Sequence, residues 1–265
     1  MRIFSFGGGV QSTAVLCLAA KGALQYDAFV FANVGEDSEH PDALAYVRNV
    51  TMPFAERHAL KLVEVAWARK DGSTDTLYKR IYRNQRSIPI PAHLQSGAPG
   101  NRACTSDFKI RNIDRWIAEN GGKGHDVHIG LGISVDEIHR AKVKAPEAVR
   151  GFTKHLEYPL IDLHISRAQC HNIIAAAGLP PAPKSSCYFC PFHTHAAWIH
   201  LRNTRPDLFD KAVQLEKHIN HKRQHTLGKD EVYLHSSLRP LDVAVGLQRT
   251  FLDELMNCES GYCFT

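Results

Sequence analysis

The sequence predicts an α/β fold: an open, mainly parallel sheet with helices on both faces, plus a helical C-terminal region. Three observations carry this. Short apolar runs alternate with amphipathic ones at the spacing of strand–helix–strand units. Three consecutive glycines, Gly7 to Gly9, join the first apolar run to the first helical one. Beyond about residue 165 the pattern changes to successive helices. The expected division is therefore an α/β domain over residues 1–165 and a helical region over residues 166–265.

The elements follow in order. "RIFSF" reads as a strand and "STAVLCLAAKGAL" as a helix. "YDAFVFANV" is a second strand, "HPDALAYVRNVTMPFAERHA" a helix, and "LKLVEVAW" a third strand. "TDTLYKRIYRN" is helical, and the Pro- and Gly-rich "SIPIPAHLQSGAPGN" is a loop. "SDFKIRNIDRWIAEN" is a helix stopped by Gly121 and Gly122. "DVHIGLGI" and "HLEYPLIDL" read as two more strands. "SRAQCHNIIAAAG", "HAAWIHLRNT", "PDLFDKAVQLEKHINHKRQH" and "LDVAVGLQRTFLDELM" read as helices.

Composition narrows the function classes. At 265 residues and 44% hydrophobic, the chain has material for one large domain with an appendage. A net charge of +5 suits an anionic ligand such as a nucleotide, or RNA. No run approaches the about 18 apolar residues that cross a membrane, and glycines soon follow Arg2, so neither a span nor a secretory leader is expected. A cytoplasmic protein is expected. Its seven cysteines then stay reduced rather than forming a disulfide framework. Cys17 and Cys170 fall inside apolar periodic segments and read as small core residues.

In an open α/β sheet, ligands bind beyond the carboxyl ends of the strands, where the glycine run lies. Glycines let backbone N–H groups approach a phosphate, and the following helix N-terminus adds positive potential. Ser12 and Thr13 bring hydroxyl donors. Neither a Walker loop nor a dinucleotide fingerprint fits, because no Gly-Lys-Ser/Thr follows and the glycines are contiguous. A plain tight turn is the structural alternative.

"SFGGGVQST" resembles the phosphate loop of the PP-loop ATP pyrophosphatase superfamily (adenine nucleotide alpha hydrolase-like), usually Ser-Gly-Gly-x-Asp-Ser, with Gln11 where Asp is usual. It is most similar to the branch containing the sulfonucleotide (PAPS and APS) reductases. "FANVGEDSEHPDALAYV" resembles the second motif of that superfamily. "GLGISVDEIHRAK" is similar to its Gly-x-Arg-x-x-Glu-Ser-x-x-Arg segment, with Ile133 where an Arg is common. "EYPLIDLHISRAQCHNIIAAAGLP" resembles the reductase strand, helix and Gly-Leu-Pro turn. The resemblance runs in order from about residue 2 to residue 193.

The resemblance implies that Ser5, Gly7, Gly8, Gly9, Gln11, Ser12 and Thr13 surround the nucleotide phosphates, with Asn33 and Gly35 near the adenosine. It implies that Glu137 and Arg140 serve catalysis, one holding a metal or substrate and the other meeting a phosphate. Read from the residues alone, they are equally an ordinary surface i,i+3 pair. Asp136 reads as a neighbour rather than a ligand, and Asp162 as a cap for the helix beginning near Ser166.

"KSSCYFCPFH" places Cys187 and Cys190 in a C-x-x-C turn, which aims two sulfurs at one metal or cluster. A redox dithiol is the competing reading. The similarity to APS-type reductases implies Cys104 as the third thiol of a 4Fe–4S cluster, although Ala103 stands where a second Cys is usual. Three thiolates leave one iron open, an arrangement similar to that of some PP-loop tRNA thiolases. Cys258 or Cys263 is the expected fourth ligand. The reductase branch also implies Cys263 as an attacking thiol. A Zn²⁺ site of Cys187, Cys190, Cys258 and Cys263 is the alternative.

Sixteen histidines stand out. His218, His221 and His225 share a helical face and read as solvated, whereas His193 is the one expected beside a cluster. Arg202, Arg205, Lys217, Lys222, Arg223 and Lys229 give a basic surface that suits an RNA backbone or plain solvation.

The expected activity is ATP-dependent adenylation of a carbonyl or amide, with Mg²⁺ and release of pyrophosphate. Sulfur transfer then thiolates a nucleobase or related acceptor. The alternatives are a sulfonucleotide reductase releasing sulfite, and a non-catalytic nucleotide- or RNA-binding module. Expected partners are a nucleotide, a tRNA or other nucleic-acid acceptor, a sulfur donor or thiol reductant, and a second copy in a homodimer.

Overall fold

The computed structural model describes residues 1–68, 72–83, 87–142 and 145–246. In chain order the elements are β1 (Arg2–Phe6), α1 (Val10–Ala20), β2 (Ala28–Asn33), α2 (Pro41–Tyr46), α3 (Met52–Arg57) and β3 (Leu62–Ala66). Then come α4 (Leu77–Arg83), β4 (His93–Leu94), α5 (Arg111–Ile117), β5 (Asp126–Leu131), β6 (Glu147–Val149) and β7 (Phe152–Glu157). The chain continues with α6 (Pro159–Asp162), α7 (Arg167–Ala176), α8 (His195–Thr204), α9 (Pro206–Leu227), β8 (Val232–Tyr233) and α10 (Leu241–Gly246). Wide helical turns over Val47–Thr51 and Cys104–Ile110 lead into α3 and α5, and a 3₁₀ turn spans Val135–Arg140.

The described residues form two compact units. The first comprises residues 1–74 and 106–186, the second residues 75–105 and 187–246.

The first unit holds the predicted α/β sheet, in the order β3-β2-β1-β5-β7-β6. β1, β2, β3, β5 and β7 run parallel, and β6 pairs antiparallel with β7. Strand alternation sends Phe4, Phe6, Phe29 and Phe31 to one face, where they pack with α1 and α7. Cys17 and Cys170 lie in that core, as expected. Burial pushes both thiols up, Cys17 to about 11 and Cys170 to about 12. The opposite face carries Ile3, Val30, Val127 and Ile129 against Ile113 and Ile117 of α5. Helices therefore cover both faces.

Two strand assignments change. "HLEYPLIDL" divides: its first residues end β7, while Pro159–Asp162 forms the short helix α6. Pro159 fixes φ at a helix N-terminus and lacks the N–H that a strand ladder needs. β6 has no counterpart in the sequence reading. It is folded back by the turn at Arg150 (φ 48°) and Gly151 (φ 85°), the paired positive φ of a type I′ hairpin.

The second unit is mainly helical. α9 begins at Pro206 and stops at Gly228, which is left-handed at φ 57°. It packs on α4, α8 and α10 through a buried face that includes Leu208, Phe209, Leu215 and Ile219. The Pro- and Gly-rich loop contributes a two-residue strand, β4, paired antiparallel with β8.

Candidate functional site

In the first unit, the order in which parallel strands are added reverses at β1. From β1 the chain steps outward through β2 and β3 on one side, and β5 and β7 lie on the other. That is a topological switch point, where open α/β sheets bind ligands. The glycine loop leaves β1 at this point and enters α1 with Gly9 as N-cap. No acidic residue occupies the first turn of α1, so nothing there opposes an anion.

Three features distinguish the loop. Gly8 sits at φ 73°, and a Cβ there would lie 2.8 Å from Val47 Cγ2. Gly132, just after β5, would put a Cβ 3.3 Å from the Ser12 backbone nitrogen, so its lack of a side chain leaves room beside that amide. The buried Thr13 hydroxyl has no hydrogen-bond partner. The Ser12 hydroxyl, expected as a phosphate donor, is tied to the loop itself. It accepts from Gly9 N–H (3.0 Å) and donates to Gly9 C=O (2.9 Å), bracing the turn.

Gln11 accepts a hydrogen bond at 3.4 Å from Arg167, the first residue of α7. Ser185, missed in the sequence, donates from its hydroxyl to Gly7 C=O and fixes the loop from outside. Its signal was the serine pair before Cys187, which carries no motif. Ser5 is buried at the carboxyl half of β1.

Asn33 and Gly35 form a tied turn at the end of β2. Asn33 Oδ1 accepts from Gly35 N–H at 2.8 Å, and its amide donates to Glu36 (2.9 Å) and Glu64 (2.7 Å). Arg48 bridges those two carboxylates, which holds Glu36 below the usual carboxylate range.

Glu137 and Arg140 are an ion pair, as the spacing allowed, but a buried one, with side chains 11% and 5% exposed. The surface-pair alternative is thereby overturned: the 3₁₀ turn carries both side chains inward. Asp136 is a structural neighbour, accepting from the Arg167 backbone N–H at the start of α7. The capping role expected of Asp162 belongs to Ser166, whose hydroxyl accepts from Gln169 N–H at 3.2 Å in a reciprocal capping box.

In the second unit, two segments carry the half-buried Cys104, Cys187 and Cys190. The Arg102 guanidinium lies 5.2 Å from the Phe192 ring, so the segments are neighbours. His93 also meets Pro191 C=O at 3.1 Å. His193 stands at the turn, its Nε2 2.9 Å from Cys187 C=O. Among the described residues, no three His, Cys, Asp or Glu side chains form a group that could hold a metal ion. Thiolate donors suit iron or zinc by their chemistry. The expected ligand Cys258 and the expected attacking thiol Cys263 lie outside the described residues.

Five of the six cations expected to line an RNA surface are engaged within the second unit. Arg202 donates to Val245 C=O, Arg205 pairs with Asp207, Lys217 with Asp242, Lys222 donates to Tyr82 C=O and Arg223 to Asp230 C=O. His218 stacks on Tyr82 at 4.1 Å rather than standing in solvent, while His221 and His225 lie 4.5 Å apart. The sequence reading also missed a buried pair, His195 Nδ1 and His235 Nε2, 3.0 Å apart.

The chain matches no protein-family model and no curated protein.

Proposed function

We propose that this chain is an ATP-dependent adenylating enzyme of the PP-loop type that goes on to transfer sulfur. The observation that carries the reading is the glycine loop at the switch point, opening onto the unopposed N-terminus of α1. Backbone N–H groups at such a position stabilise phosphate charge without reorganising.

In this reading ATP enters as its Mg²⁺ complex and the loop holds the phosphates. A carbonyl or amide oxygen of the acceptor attacks the α-phosphorus, and the bond to the bridging oxygen of pyrophosphate breaks. Hydrosulfide-level sulfur then adds to the activated carbon, and AMP leaves with the original oxygen and its electron pair. Arg140, held by Glu137, supplies a fixed positive charge near the carboxyl ends of β1 and β5. Cys104, Cys187, Cys190 and a fourth thiol would have to be drawn together to hold an iron–sulfur cluster, which would supply a site for carrying sulfur.

The test is anaerobic incubation of the whole chain with ATP and, separately, with PAPS. The reading expects AMP and pyrophosphate from ATP in the presence of an acceptor, lost in Gly8→Val. Sulfite release from PAPS without ATP would replace it with the reductase reading. ATP binding without turnover on any acceptor would leave a binding module.

A further inference from the structure

A parallel β–β connection normally lays a helix over the sheet. Between β5 and β7 the described chain instead places the 3₁₀ turn Val135–Arg140 and the short strand β6. On the same face α5 packs on β2 and β3. A gap is left over β5 and β7, and it forms a cavity of about 390 Å³. That volume falls within the range of small-molecule sites, about 300–1,000 Å³.

The lining has a definite chemistry. Ile129 and Leu131 of β5, Leu156 of β7, Val149 of β6 and Ile113 of α5 make apolar walls. Lys154 lies among them, paired at 3.2 Å with Asp114, both side chains at most 10% exposed. Glu147 adds a second carboxylate to Lys154 at 3.6 Å, which balances that side of the cavity. The remaining charged lining is cationic: Lys109, Arg111, Arg140 and Lys142. Arg111 is paired with Asp107 and Arg140 with Glu137, which leaves the Arg140 Nε edge for a ligand. The Arg140 Nε, although buried, has no hydrogen-bond partner. Ser5, two residues before the glycine loop, also lines the cavity, so it adjoins the proposed nucleotide site.

Resting on that reading of the glycine loop, we infer that this cavity holds the second substrate: a small organic anion, carboxylate or phosphate monoester, with a compact apolar body. The apolar walls take the body, and Arg140 and Lys142 take the anionic head. A space of this size suits a diffusing small molecule. The engagement of Arg202, Arg205, Lys217, Lys222 and Arg223 within the second unit points the same way, away from an RNA track.

The test is calorimetric titration of the full chain with phenyl phosphate and benzoate, each beside a neutral isostere, phenol or benzamide. At least one anion binds, and its neutral counterpart binds about tenfold or more weakly, the value of one charge-assisted hydrogen bond. The two arms separate phosphate from carboxylate. Leu156→Trp, which fills the cavity, abolishes binding, and Lys142→Glu at its rim weakens it about tenfold. Lys142→Glu keeps the test decisive if Leu156→Trp does not fold. Equal binding of charged and neutral probes, unchanged binding in Lys142→Glu, or no binding of either anion would overturn the inference. ATP titrated in parallel reports on the glycine loop by itself: anion binding without ATP binding sinks the nucleotide reading and leaves the cavity site standing.

Discussion

Arg140 and Glu137 form a salt bridge three residues apart in sequence, and both side chains are almost wholly withdrawn from water. At that depth neither charge is well hydrated and each is compensated by the other, so each residue is held in place by its partner. Removing one strands the other. Arg140→Met or Glu137→Gln alone is expected to cost about 3–5 kcal/mol, and the double variant less than the sum. Urea denaturation of the four proteins measures this. Additive losses would mean that the two groups are not coupled.

Gly8 combines φ 73° with a Cβ position 2.8 Å from Val47. Alanine there meets both backbone strain and a side-chain clash, at an expected cost of about 1–3 kcal/mol. Gly22, at φ 75°, has nothing within 4 Å of its Cβ position and controls for strain alone. Gly8→Ala should therefore lower the melting temperature more than Gly22→Ala, and only Gly8→Ala should lose ATP.

Glu216 is buried in α9, where its carboxylate accepts N–H groups from Leu234 (2.7 Å) and Leu241 (2.8 Å). Burial pushes its pKa from 4.5 up to about 7, the two hydrogen bonds opposing the rise. Between those values the folded chain holds a proton that the unfolded chain has released. The contribution of this group to stability is thus greatest below pH 4.5 and declines as pH rises to about 7. Unfolding across that range should show this decline, and Glu216→Gln should flatten it. An unchanged slope in the variant would assign the dependence to other groups.

The His195–His235 contact allows a tautomer assignment. Ser237 N–H donates to His235 Nδ1 at 3.0 Å, so His235 carries its proton on Nε2 and donates to His195 Nδ1. His195→Phe removes that acceptor and should cost about 1–3 kcal/mol. Thermal unfolding of the variant checks the value; no change would show that the contact adds nothing net.

Much of the sheet was legible because its central strands and α1 are buried apolar runs. β2 is buried at every position and reads as an unbroken apolar run, "AFVFAN". β6 was not legible: "EAV" is short and exposed, and its turn depends on Arg150 adopting a positive φ that arginine seldom takes. α6 was misread because Leu160 and Ile161 carry the apolarity of a strand, while Pro159 starts a helix. The glycine loop declared itself by composition. Its supports did not, because Ser185 and Arg167 reach it across more than 150 residues by single hydrogen bonds that leave no periodic trace. The depth of the Glu137–Arg140 pair depends on a 3₁₀ turn whose direction is set by tertiary packing.

The most direct test of the central claim is equilibrium dialysis of ATP against the wild-type chain and Gly8→Ala, with cooperative unfolding checked for both. A phosphate-binding glycine loop predicts saturable ATP binding by the wild type, lost in a folded Gly8→Ala. No binding by the wild type, or equal binding by both, would contradict it.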